Sequence, residues 1–168
     1  DPNVRISLWP SKETCKQTIL NTLNWADVVK INEDELEFLT GSREFAAADA
    51  LRAEHDLPML IITLDSRGCY FATKEGGKQV PGFQVELVEA TGAGDGFNSG
   101  VIAGLLPYIK NAPDRREALL ALDHAKLSEI VRSANAIGAI TCTKPGAIPA
   151  LPHTEEIATF LQKMSVKN

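Results

Sequence analysis

The sequence predicts an α/β fold, a mostly parallel central sheet flanked by helices. Three observations carry that expectation. Met59 to Leu64 (MLIITL) is a continuous apolar run, the pattern of a central parallel strand covered on both faces. Short apolar runs alternate with helix-length segments, which calls for right-handed crossovers between parallel strands. A strand-like run, Phe83 to Val88, ends in the Gly-rich turn Thr91-Gly92-Ala93-Gly94-Asp95, and an apolar-periodic helix follows directly.

Taken in order, Ser11 is placed to cap a helix over residues 12–24, with Ile19, Leu20 and Leu23 on its buried side. Asp27 to Ile31 (DVVKI) reads as a short buried strand. The acidic helix from Glu33 to Leu39 stops at Gly41, and Ser42 opens another through Ala46 to Glu54. Pro58 ends that connection, and the MLIITL strand follows. Asp65-Ser66-Arg67-Gly68 is a turn leading to a strand at Cys69–Thr73, and Glu75-Gly76-Gly77 is a second turn. Helices are expected over about 94–107, over 114–142 with a break near Leu127, and over 154–165. In the first of these, Phe97, Val101 and Leu105 recur every four residues with Ile102 and Leu106 beside them, so one face packs inward.

A chain of 168 residues is long enough for one domain with a real core, and the whole of residues 1–168 is read as a single partial domain. Hydrophobic residues make up 44% and charged residues 23%, as in ordinary globular proteins. The net charge of -5 includes no block of like charge, which argues against a nucleic-acid groove or a polybasic membrane patch. Cys15, Cys69 and Cys142 are odd in number and widely spaced, which suits packed thiols in a reducing, cytoplasmic compartment. His55, His124 and His153 are scattered and offer no transition-metal spacing. Neither a signal peptide nor a membrane span is visible. Asp1-Pro2-Asn3-Val4-Arg5 begins with no lead-in and suits the end of a strand outside the sequence, so a C-terminal portion of a longer protein is expected.

The turn at residues 91–95 carries the chemistry. Gly92, Ala93 and Gly94 leave first-turn N–H groups open to close approach, and the positive end of the helix dipole favours an anion such as a phosphate. Asp95 is a poor phosphate ligand but a good base for the hydroxyl that attacks one. That pairing reads as phosphoryl transfer to an alcohol. The plainer reading is a strand-to-helix turn whose glycines relieve strain and whose Asp is a helix-start charge.

Four segments in fixed order decide between these. Asp1-Pro2-Asn3-Val4-Arg5 with Leu8-Trp9, Asn32-Glu33-Asp34-Glu35, the Gly92–Asp95 turn, and Lys144-Pro145-Gly146-Ala147-Ile148-Pro149 together resemble the C-terminal half of a ribokinase-like (PfkB) carbohydrate kinase. The DPNxRxxLW and GAIPALP strings resemble its fructokinase branch most. The resemblance implies a ribokinase-like, Rossmann-type sandwich, with the family's N-terminal strands and small β-sheet lid outside these residues. It implies ATP with Mg2+ as cofactor, a small sugar as substrate, and a homodimer contact that would use the lid. Asp95 matches the catalytic base, and Gly92, Ala93 and Gly94 match the anion hole. Asn32 and Glu35 match an NxxE motif that acts through water on magnesium and the phosphates, the alternative being a solvated acidic helix. Thr63 and Gly68 fall in what resembles a TxGxxG turn beneath the nucleotide, although Asp65 replaces its middle glycine and is expected to point away. Asn135 and Ala139 match the helix beside the adenine pocket, as do Gly146 and Ala147 in the following loop. Arg5 would pair with an anion near the sugar site or snorkel over Trp9.

Relatives carry Asp-Thr where this chain has Glu89-Ala90, in a segment that helps hold an activating monovalent cation. Glu89 matches the residue that holds this cation, and potassium is a candidate cofactor. Glu89 moves the charge by one methylene and Ala90 removes a hydroxyl, both of which count against potassium activation. The resemblance implies phosphorylation of fructose to fructose 6-phosphate. It also implies that these residues alone bind nucleotide weakly and do not turn over sugar, because relatives hold the sugar mainly with N-terminal residues. A 2-keto-3-deoxygluconate kinase and a non-catalytic kinase-like scaffold are the competing readings.

Overall fold

The computed structural model describes residues 1–165. These form two compact units, residues 1–64 with 70–79, and residues 65–69 with 80 onward. The first unit follows the sequence closely. Helix α1 (Lys12–Leu23) is capped by the Ser11 side chain, which accepts the Thr14 N–H at 3.0 Å. Strand β1 (Val28–Asn32) leads directly into α2 (Glu33–Thr40), which ends at Gly41 with a left-handed φ of 83°. Helix α3 (Phe45–Glu54) begins three residues after Ser42, because the Ser42 hydroxyl accepts the Glu44 N–H and holds a turn there instead.

Strand β2 (Met59–Thr63) lies parallel to β1, with Val28 opposite Met59 and Asn32 opposite Thr63. Strands β3 (Cys69–Thr73) and β4 (Gly76–Val80) complete a sheet of order β1-β2-β3-β4. β4 was not expected, since its Gly-Gly-Lys-Gln start carries turn residues. It is an edge strand exposed along most of its length, where such polar residues are tolerated. The core of this unit joins Cys15, Ile19 and Leu23 of α1 to Leu36 and Leu39 of α2 and to Leu60 and Ile62 of β2. At its rim, Tyr70 stacks on Phe45 with ring centroids 4.1 Å apart and donates its hydroxyl to Asp49 at 2.8 Å.

The second unit is helical. Helix α4 (Ala93–Ile109) packs along α6 (His124–Thr141), with α5 (Arg115–Leu120) and α7 (Thr154–Ser165) beside them. Gly100 permits the close crossing of α4 and α6, because a Cβ there would stand 2.7 Å from Ala134 Cα. Phe97, Val101 and Leu105 are buried as their spacing predicts. Ile102 and Leu106 are instead 64% and 46% exposed, so the apolar stripe of α4 is wider than the face it buries.

The break in the long helical segment falls at residues 121–123, not near Leu127. There Asp123 caps α6 by accepting the Lys126 N–H at 2.7 Å. Asp123→Ala is expected to cost about 1 kcal/mol in urea unfolding. Residues 83–88 form no strand. The Val88 and Glu89 N–H groups donate to the Cys142 carbonyl at 2.8 and 3.2 Å, rather than to a sheet. No helix among the described residues is long and apolar enough to cross a membrane.

Candidate active site

In the first unit, Asn32 and Thr63 lie side by side at the carboxyl ends of two parallel strands, the end at which open α/β sheets bind ligands. Asn32 and Glu35 form a reciprocal capping box. Asn32 Oδ1 accepts the Glu35 N–H at 2.8 Å, and Glu35 Oε2 accepts the Asn32 N–H at 3.0 Å. Glu35 is only 7% exposed, and its Oε1 accepts the Val4 N–H at 2.9 Å. The solvated acidic helix is therefore wrong at this residue: its carboxylate is buried and ties the Asp1–Arg5 segment to α2. Each oxygen retains a second lone pair for water. Thr63 donates its hydroxyl to the Ile31 carbonyl at 3.4 Å. Arg5 is exposed at the start of a 3₁₀ turn, Ile6–Leu8, while Trp9 packs against the core.

In the second unit, Gly92 is the N-cap of α4 with a φ of 82°, and no side chain caps that helix end. The Ala93 N–H donates to the Ala90 carbonyl at 3.1 Å and closes the turn. The Gly94 and Asp95 N–H groups have no acceptor among the described residues, so they are the open donors at the positive end of a 17-residue helix. Asp95 is exposed on this first turn and makes no capping bond, so its contribution to the helix start is that of a charge near the dipole. A pair of open N–H donors thus sits on the same helical turn as a solvent-facing carboxylate. That arrangement can bind a phosphoryl group and take a proton from a hydroxyl beside it.

The loop at Gly146-Ala147 lies against this turn. A Cβ on Gly92 would stand 2.9 Å from both Ala147 Cα and Ala147 Cβ. Gly146, itself at φ 85°, donates its N–H to Glu89 Oε2 at 2.8 Å. This bond, with a second from the Thr91 side chain, holds the Glu89 carboxyl below the usual carboxylate range. Lys144 anchors the same loop to α7 through Glu156 at 2.7 Å.

Helix α6 joins the remaining candidates. Asn135 is buried, and its side-chain amide donates to the Pro81 carbonyl at 3.2 Å and more weakly to Val80. It therefore braces the 80–81 backbone, and Ala139 follows one turn later. Gly68 is buried with φ 98°, packed so tightly on residues 80–82 that a Cβ would overlap the Val80 carbonyl oxygen and stand 2.6 Å from Pro81 C. Asp65 is exposed at φ 51°. That left-handed backbone is one that glycine adopts freely and that Asp tolerates.

Two contributors had no sequence signal beyond being small. Gly138 brings α6 within van der Waals reach of the Ala93 carbonyl, and Gly82 interlocks with Gly68. Burial pushes the Cys69 thiol up to about 12. Cys69 is therefore expected to resist alkylation at pH 8 until the chain is unfolded, as peptide mass spectrometry would read.

Comparison with known proteins supplies the family. Residues 1–154 match the pfkB family carbohydrate kinase model. A probable fructokinase of Arabidopsis thaliana is 42% identical over 163 residues, covering 96% of this chain and 47% of the relative. The chain therefore spans about half the length of the curated relatives it matches. A Xylella fastidiosa fructokinase structure with bound ATP superposes with a TM-score of 0.84 at 28% identity, covering 97% of this chain and 51% of that one. A Vibrio cholerae fructokinase variant bound to fructose, ADP and potassium ion gives 0.79 at 33% identity, covering 96% and 49%. The fold is ribokinase-like, and the chain belongs to the pfkB family of carbohydrate kinases.

Proposed function

We propose that this chain is the nucleotide-binding and catalytic half of an ATP-dependent sugar kinase that phosphorylates fructose to fructose 6-phosphate. The observation that carries the reading is the first turn of α4, where the unpaired Gly94 and Asp95 N–H groups stand beside the exposed Asp95 carboxylate. Asp95 takes the proton from the sugar hydroxyl as that oxygen attacks the γ-phosphorus. The bond from the γ-phosphorus to the bridging oxygen of ATP breaks, and ADP leaves. The two N–H groups stabilise charge on the phosphoryl oxygens in flight. Gly92 and Ala93 shape the turn that presents them.

Among the described residues no group of three or more His, Cys, Asp or Glu is disposed to hold a metal ion. That fits magnesium, which keeps most of its waters and is held largely by substrate phosphates. Asn32 and Glu35 would orient such waters, and the metal would neutralise phosphate charge. In the second unit, Gly68, Ala139, Gly146 and Ala147 would shape the nucleotide site, and Asn135 would support it through residues 80–81. Thr63, in the first unit, is a separate candidate for contact with nucleotide. Arg5, exposed, is free to meet an anionic group of a substrate.

The fructose assignment is supported by the fructokinase relatives. Its test is an acceptor panel on the protein that joins this chain to the rest of the family's fold. Magnesium-dependent ADP release with fructose, and not with ketodeoxygluconate, ribose or adenosine, is the expected result. Preference for ketodeoxygluconate would move the assignment and give Arg5 a carboxylate to pair. ATP binding without turnover on any acceptor would favour a scaffold. The 168-residue chain assayed by itself is expected to release no ADP in response to fructose.

A further inference from the structure

A solved relative holds a potassium ion together with fructose and ADP. The residues of this chain do not fit such an ion. Cation sites are lined by oxygens, yet the group presented to the Glu89 carboxylate is the Gly146 N–H at 2.8 Å, a partial positive charge already in place. The Thr91 side chain bonds to the same carboxylate, and Ala90 contributes no side-chain oxygen. The two segments involved also meet elsewhere. The Val88 and Glu89 N–H groups donate to the Cys142 carbonyl, and Gly92 abuts Ala147.

We propose that Glu89 is a positioning residue whose carboxylate ties residues 88–92 directly to residues 142–147, holding the turn before α4 without a monovalent cation. This rests on the reading of that turn as the phosphoryl-binding site, and it adds that the site is indifferent to potassium. The physical reason is substitution of one counter-charge for another. Glu89 reaches the opposite loop and takes its positive partner from that loop's own backbone. A charge-assisted bond of this kind is roughly twice as strong as a neutral one and needs no ion from solution.

The test compares the 168-residue chain in potassium chloride and in tetramethylammonium chloride at equal ionic strength. Amide exchange at Gly146, thermal melting and ADP titration are followed in parallel. The Gly146 N–H is expected to be protected equally in both salts, with coincident melts and ADP affinities that agree within about twofold. In Glu89→Asp, Gly146 protection and ADP affinity are expected to fall about tenfold in tetramethylammonium, and potassium is expected to restore the affinity.

Potassium-dependent protection of Gly146, a potassium-specific rise in melting temperature, or ADP binding in the unmodified chain that needs potassium would each overturn the proposal. Unchanged protection in Glu89→Asp would do the same. Should that variant fail to fold, Glu89→Gln keeps the side-chain length and removes the charge. It is expected to lose Gly146 protection about fivefold, and full protection in it would overturn the tie. Failure of the functional reading looks different: no ADP binding in either salt, with Gly146 still protected and indifferent to potassium.

Discussion

Asp95→Asn is expected to lower sugar phosphorylation about 100- to 10,000-fold while ADP affinity stays within about twofold. Asn fills the same space but has no basic lone pair to take the hydroxyl proton. It is a clean substitution here, because Asp95 is exposed and makes no capping bond, so the fold does not depend on its charge in any bond that the variant would break. The fall should appear in kcat, since the proton moves only as the transition state forms. Steady-state kinetics on the protein joining this chain to the rest of the family's fold would read it. Activity within tenfold of the original would remove Asp95 from the role of base. A loss of ADP binding and thermal stability together would give it a structural role instead.

Gly68→Ala is expected to destabilise the second unit by about 3 kcal/mol or more. Two penalties act at once. The backbone there has φ 98°, which an L side chain rarely adopts, and the new Cβ would meet the backbone of residues 80–82. Backbone atoms of a packed turn cannot swing aside as the end of a long side chain can. Because Asn135 donates to the Val80 and Pro81 carbonyls, displacement of that segment would also loosen its hold on α6. Urea unfolding followed by circular dichroism would measure the cost, with Gly41→Ala as the comparison. Gly41 has a φ of 83° but nothing within 4 Å of its Cβ position, so it carries the backbone penalty alone. Equal destabilisation of the two variants would mean that the close approach at Gly68 contributes nothing.

Much of this was legible in the sequence because local chemistry and tertiary structure agree. Ser11 and Gly41 mark helix ends by capping rules that need no knowledge of neighbours, and MLIITL has too few polar residues to be anything but a covered strand. The Gly92–Asp95 turn was visible because its glycines and its carboxylate are conspicuous beside an apolar helix. What the sequence hid was decided by partners far along the chain. Residues 83–88 have the composition of a strand, but their N–H groups at Val88 and Glu89 find the Cys142 carbonyl instead. The Asn32–Glu35 spacing was legible, but the Val4 N–H that holds the other oxygen of Glu35 lies thirty-one residues away in sequence. Asn135 matches the helix beside the adenine pocket in sequence, and only the fold shows that its amide also holds the Pro81 carbonyl, fifty-four residues away. Ile102 and Leu106 fit the helical period of α4 yet remain exposed, because periodicity tells which residues share a face and not how much of that face is covered.

The most direct test of the central claim is calorimetric titration of the folded 168-residue chain with magnesium ADP, beside a Gly92→Ala variant whose added Cβ would press the turn against Ala147. Saturable binding with a Kd on the order of 0.1–1 mM, lost in the variant while its circular dichroism is retained, is the predicted result. A folded chain that binds no nucleotide at several times that concentration (on the order of 10 mM), or one whose affinity is unmoved by Gly92→Ala, would contradict the assignment of the α4 turn as the phosphoryl-binding site.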